Sequence, residues 1–174
     1  KCALWAGLGL GKTITTLTAI VDLIDSMTVS KVLIVAPLRV ANSVWHKEAA
    51  NWQHTKHLKF SIVTGSEKER LAALHKTADV YVINRENVSW IVEHYAKKWP
   101  FDMIVLDEAS SFKSSSSQRF KSLRKTIPFT NRLVELTGTP SPNGLLDIWS
   151  QMYLLDCGER LGRSMTAYKQ RFFE

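Results

Sequence analysis

At 174 residues the chain has the length of one domain, enough to bury roughly two-thirds of the surface its unfolded form exposes. Hydrophobic residues at 45% and charged residues at 22% exclude disorder and collagen-like repetition, no run of 18 apolar residues offers a membrane span, and the amino terminus lacks a signal-peptide pattern. Cys2 and Cys157 stand alone at opposite ends, which excludes a disulfide framework and a cysteine-based zinc site, while a net charge of +7 favours a polyanionic partner.

In chain order, short β-branched runs alternate with longer amphipathic stretches, the pattern of βαβ units around a mainly parallel sheet. Residues 2–5, 32–36, 60–63, 80–83, 103–106 and 133–136 predict six buried strands, because parallel strands are covered on both faces and read as nearly continuous apolar runs. Residues 12–26, 40–52, 67–76, 87–98, 116–126 and 145–154 carry helical spacing. In the last of these, Leu145, Ile148, Trp149 and Met152 form an i, i+3, i+4, i+7 stripe that predicts core packing. Breakers fall between the elements at Gly65-Ser66, Trp99-Pro100, Ile127-Pro128 and residues 138–144, and the serine run 114–117 reads as a loop ending in a helix N-cap. The span from Ser111 to Arg132 holds six basic residues (Lys113, Arg119, Lys121, Arg124, Lys125 and Arg132) and no acidic one, either a phosphate-attracting field or a solvated helix face.

Three strand ends carry chemistry. Ala6-Gly7-Leu8-Gly9-Leu10-Gly11-Lys12-Thr13 lies between the first strand and the first helix, where a phosphate-binding loop belongs. Gly7, Gly9 and Gly11 let the backbone wrap a phosphate with its N–H groups pointing inward, Lys12 reaches the β and γ phosphates, and the Thr13 hydroxyl suits Mg²⁺. A dinucleotide reading leaves the Lys-Thr pair without a task. Asp107-Glu108 follows the fifth strand, so both carboxylates would face the crevice of the phosphate loop, Asp107 to hold Mg²⁺ and Glu108 to orient and deprotonate a water. Leu136-Thr137-Gly138-Thr139-Pro140 closes the sixth strand, and Thr137 and Thr139 are placed to hydrogen-bond the acidic loop and relay the state of the γ-phosphate.

Together these segments resemble, over nearly the whole chain, the N-terminal motor lobe of superfamily-two helicases, particularly the Swi/Snf-type DNA translocases and their phage-encoded relatives. Residues 9–13 look like motif I, Ala36-Pro37-Leu38-Arg39 with Trp45 and Glu48 like motif Ia, Asp107-Glu108-Ala109-Ser110 like motif II, and Leu136 to Gly144 like the LTGTPxxN form of motif III. Val82 to Glu86 occupies the place of a further nucleic-acid-contacting motif. The resemblance implies an α/β RecA-like P-loop NTPase lobe with a mainly parallel sheet sandwiched by helices. It also implies one N-terminal helicase ATP-binding domain over 1–174, with a second RecA-like lobe outside the chain that supplies an arginine finger; alone, the lobe would hydrolyse ATP weakly or not at all. ATP and Mg²⁺ are then the cofactors. Gly7, Gly9, Leu10, Gly11, Lys12 and Thr13 would bind the nucleotide, Lys12, Asp107 and Glu108 would act in catalysis, and Thr13 and Asp107 would hold the metal. Arg39, Asn84 and Arg85 would contact nucleic acid, and Thr137, Gly138 and Thr139 would couple the two. The expected partner is double-stranded DNA, with no membrane and no oligomer, in the cytoplasm of a bacterial or phage-infected cell. Ser110 replaces the His of DEAH proteins, removing whatever link that His makes to the rest of the motor.

The competing class is a non-catalytic nucleotide- and nucleic-acid-binding module that recruits partners; intact Lys12, Asp107 and Glu108 favour the enzyme. A third reading is a small P-loop kinase or GTPase, and the Asn-Lys-x-Asp guanine reader that the GTPase needs is absent from the sequence. Trp45, Trp52 and Trp90 lie on amphipathic stretches, where core packing accounts for them better than base stacking, and His54 and His57 read as surface histidines.

Overall fold

The computed structural model describes residues 1–173. Six strands form one all-parallel sheet: β1 (Cys2–Trp5), β2 (Val32–Ala36), β3 (Phe60–Val63), β4 (Val80–Asn84), β5 (Met103–Asp107) and β6 (Arg132–Thr137), in the order β1-β6-β5-β2-β4-β3. This is the expected α/β layer structure. Helices α1 (Lys12–Asp25), α2 (Leu38–Ser43), α3 (Trp45–Ala50), α4 (Glu67–Leu74), α5 (Val88–Tyr95), α6 (Gln118–Arg124), α7 (Ile148–Asp156) and α8 (Met165–Phe172) cover it. No helix among the described residues is long and apolar enough to cross a membrane.

Alternation along the central strands divides the core in two. Val32, Ile34, Val80, Val82, Met103 and Val105 pack with Leu17 and Ile20 of α1 and with Trp45 and Ala49 of α3. Leu33, Val35, Tyr81, Ile83, Ile104 and Leu106 point the other way, toward Leu74, Ile91, Phe120, Leu123, Trp149 and Leu154 from α4 to α7. Each such fully buried aliphatic side chain contributes about 1.5–3 kcal/mol over its exposed state. The sheet is thus fixed on both faces, and its carboxyl-terminal edge holds the candidate residues. Asp107 is in register with Leu136, Trp5 with Thr137 and Ala36 with Asn84, so these strand ends line up along one edge.

Three expectations are corrected. The single helix over 40–52 is two short ones broken at Val44; the Ser43 hydroxyl donates to the Arg39 carbonyl at 2.7 Å, a back-bond that bends helices. Leu145 does not join the core stripe: it is 59% exposed in a 3₁₀ turn, while Trp149 is buried. Trp52 is 45% exposed beyond the end of α3 and donates its indole N–H to Glu48 at 2.9 Å, so core packing accounts for Trp45 and not for Trp52. Helix α8 carries a single buried residue, Tyr168, whose hydroxyl donates to the Leu145 carbonyl; its polar sequence gave no apolar stripe to read.

Glu135 is an outlier in this core. It stands on β6 between Val134 and Leu136, is 0% exposed, and neither carboxylate oxygen has a partner among the described residues. Burial pushes its carboxyl well above the ordinary glutamate range.

Candidate functional site

The loop after β1 turns sharply enough to meet α1 because Gly9 and Gly11 take positive φ, +74° and +75°, a region that side-chain-bearing residues enter only under strain. Gly11 is the N-cap of α1, which leaves the first helical N–H groups without a side-chain cap and facing the loop. Lys12 turns its ammonium back onto the loop, donating to the carbonyls of Ala6 at 2.6 Å and Gly7 at 2.7 Å. The lysine therefore already sits inside the ring of backbone that a phosphate would enter.

Residues 8–14 line a cleft of about 370 Å³ whose other walls are Asp107 and Glu108 from the end of β5 and Val40, Val44 and Glu48 from α2 and α3. Glu108 adopts φ +60°, ψ +57°, a left-handed conformation that carries about 1–2 kcal/mol of strain for a residue with a side chain. That bend lets two consecutive carboxylates border one cleft. Burial raises the Asp107 pKa and the neighbouring Glu108 charge adds to the rise, while the Trp45 N–H, a backbone N–H and the Lys12 charge pull it down.

The third strand end meets the first directly. The Ala6 N–H donates to the Thr137 carbonyl at 3.1 Å, and Gly138 approaches the glycine loop closely enough that a Cβ there would lie 3.4 Å from the Ala6 carbonyl oxygen, in van der Waals contact. Leu8, Glu108, Gly138 and Thr139 border a second hollow of about 410 Å³. The expected threonine bonds to the acidic loop are replaced by others: the Thr139 N–H donates to Thr137 Oγ1 at 3.1 Å, inside its own loop. The backbone of Thr137 and Gly138 meets the glycine loop at Ala6 and Gly7, while the Thr137 side chain is fully buried on the sheet face away from Asp107.

Toward the other side of the sheet, Arg39 lies exposed at the start of α2, just past β2. Asn84, at the end of β4, is only 6% exposed; its amide donates to Glu86 at 2.9 Å and its carbonyl oxygen accepts from Asn87 at 2.7 Å. Asn84 therefore braces the turn that carries Arg85, with both its amide nitrogen and its amide oxygen engaged within that turn. Arg85 remains at the surface, with its Nε 3.1 Å from Glu86. Sequence reasoning assigned no part to Val40 and Val44 as cleft walls, and it placed Trp45 in the core without seeing that the indole N–H reaches Asp107 Oδ2 at 3.0 Å. Nothing in the order of residues signals that contact, since 62 positions separate the two.

The SNF2-related domain model matches residues 2–172. The chain belongs to the SNF2-related domain family. Protein p41 of Acyrthosiphon pisum secondary endosymbiont phage 1 is 44% identical over 177 residues, covering 98% of this chain and 38% of its own. Mouse DNA excision repair protein ERCC-6-like is 30% identical over 167 residues, covering 91% of this chain and 13% of its own. The Sulfolobus solfataricus SWI2/SNF2 ATPase core, solved in complex with dsDNA, superposes with a TM-score of 0.81 at 26% identity over 98% of this chain and 34% of that one. This SNF2-related domain thus spans well under half the length of each, and its fold is that of a RecA-like lobe of the SWI2/SNF2 ATPase core. Its likeness among solved structures is to an SWI2/SNF2 ATPase core.

Proposed function

We propose that the chain is the ATP-binding motor lobe of an ATP-dependent DNA translocase, hydrolysing ATP when a second RecA-like lobe and nucleic acid complete the site. One observation carries the reading: the glycine loop with Lys12 and Thr13 and the Asp107-Glu108 pair border one cleft, although about a hundred residues separate them in the chain. ATP phosphates fit the loop by its backbone N–H groups and by Lys12, which exchanges the Ala6 and Gly7 carbonyls for phosphate oxygens. The single domain then extends over 1–174, the rest of the motor lying outside it.

The donor set fits Mg²⁺. Thr13 offers a hydroxyl and Asp107 a carboxylate with one oxygen already engaged by Trp45. Among the described residues no three His, Cys, Asp or Glu side chains gather as a metal cage. Such a sparse set suits an ion that keeps its waters and takes phosphate oxygens. When bound, magnesium supplies Lewis-acid neutralisation of the phosphate charge. Lys12 neutralises further charge on the β and γ oxygens, and the helix α1 N-terminus adds its positive potential. Glu108, held at the cleft by its left-handed backbone, orients the attacking water and takes its proton. Gly138 and Thr137, against Ala6, pass displacement of the phosphate loop to the rest of the motor. Arg39 and Arg85 grip the phosphate backbone of double-stranded DNA, with Asn84 bracing the turn under Arg85. The setting we propose is the cytoplasm of a bacterial or phage-infected cell, supported by the phage relative.

The test is Mg-ATP hydrolysis by the full-length protein with and without double-stranded DNA. DNA-stimulated turnover is expected. Tight ATP binding with no turnover under either condition would replace the motor by a non-catalytic binding module.

A further inference from the structure

We propose that Trp45 is a positioning residue for Asp107: its indole N–H holds one carboxylate oxygen so that the other alone is presented to the magnesium site, an assignment that rests on the nucleotide reading above. Trp45 is 0% exposed, and its Nε1 lies 3.0 Å from Asp107 Oδ2. A buried indole N–H needs an acceptor, since leaving it unpaired is unfavourable. Here the acceptor is a side-chain carboxylate at a strand end bordering the cleft, not a backbone carbonyl, so the bond is charge-assisted and directional.

Placement supports this. Asp107 is the last residue of β5 and projects on the same sheet face as Met103 and Val105, the face that Trp45 packs against. Trp45 opens α3 immediately after the break at Val44, and Val44 itself borders the cleft. The indole is clamped by core packing, whereas the carboxylate turns about a soft terminal torsion, with the Glu108 backbone N–H also beside it. A rigid donor on one oxygen fixes that torsion. Preorganisation of this kind lowers the ordering cost when a metal arrives, because the ligand oxygen is already in place.

The experiment measures ATP binding by calorimetry as a function of Mg²⁺ concentration for the wild-type chain, Trp45→Phe, Asp107→Asn and the double variant. Trp45→Phe is expected to raise the Mg²⁺ concentration for half-maximal tight ATP binding about two- to tenfold, the worth of one hydrogen bond, and to leave metal-free ATP binding unchanged. In the Asp107→Asn background the same substitution adds nothing, because the group it acts through has lost its charge. An unchanged magnesium requirement in Trp45→Phe, or an equal loss in both backgrounds, overturns the proposal and leaves Trp45 a packing residue. A wild-type magnesium response in Asp107→Asn overturns the Asp107 assignment itself, a failure read from that variant alone. Should Trp45→Phe not fold, the ¹⁵N–¹H spectrum of the six indole groups decides. Asp107→Asn should then shift one indole resonance upfield and leave the other five, whereas six unmoved resonances overturn the contact.

Discussion

The two halves of the sheet's carboxyl-terminal edge are built differently. Along β1, β6 and β5 the edge is made of backbone: Gly9 and Gly11 at positive φ, the close approach of Gly138 to Ala6, the left-handed Glu108 and the Ala6 N–H on Thr137. Along β2 and β4 it is made of side chains on turns, with Arg39 exposed, Arg85 at the surface and Asn84 buried as a brace. The first construction suits a small ligand of fixed geometry, since backbone N–H groups lose no side-chain entropy when they bind. The second suits a long irregular polyanion, which flexible cationic side chains can follow. Trp45, rising from the segment after β2, crosses between the halves to touch Asp107 of β5.

If the halves are separable as proposed, substitutions in one should leave the other's ligand alone. The largest effect belongs to Glu108→Gln in the full-length protein, where turnover should fall about 10²- to 10⁴-fold with ATP and DNA binding retained, measured by steady-state hydrolysis beside calorimetry. A Gln variant with full turnover removes Glu108 from the mechanism. Lys12→Ala should weaken Mg-ATP binding about 10- to 100-fold, the loss of a charge-assisted contact, without changing DNA affinity; a matching loss of DNA binding would break the division. On the other side, Arg39→Ala should weaken double-stranded DNA binding about two- to tenfold and lower the slope of log affinity against log salt by about 1, with Mg-ATP binding unaltered. An unaltered salt slope takes Arg39 off the phosphate backbone.

The smallest effect tests whether Glu135 belongs to either half. Its folded-state pKa is raised, so the stability it permits is fully present below the ordinary glutamate range and is lost as pH rises through the folded-state value. Glu135→Leu should therefore raise the melting temperature by about 2–8 °C at pH 8 and by less at pH 4, through removal of an unpartnered buried carboxyl. A melting temperature lowered at both pH values would show that the carboxyl has a partner in solution.

Much of this was legible because the code is local. The runs 32–36, 80–84 and 103–107 are apolar at every position that both core faces need, and the strands match the reading to within one residue. The one residue by which β4 and β5 exceed it is informative: Asn84 and Asp107 are polar, so periodicity stops before them, yet the parallel ladder continues. Residues 6–13 were readable because a glycine loop between strand and helix is set by backbone sterics. Helix α8 and the break at Val44 were not, for α8 buries one side chain and the break depends on a hydroxyl choosing its own backbone.

The sequence by itself determined the layer architecture, the glycine loop between β1 and α1 and the pair of acids after β5, each a property of neighbouring residues and their sterics. Tertiary structure alone decided that Asn84 turns inward as a brace, that Thr137 bonds within its own loop and not to the acidic loop, and that Trp45 holds Asp107. Those outcomes depend on which strands lie side by side and which face each side chain takes. Sheet order brings β1, β6 and β5 together from opposite ends of the chain, and no local pattern encodes that distance.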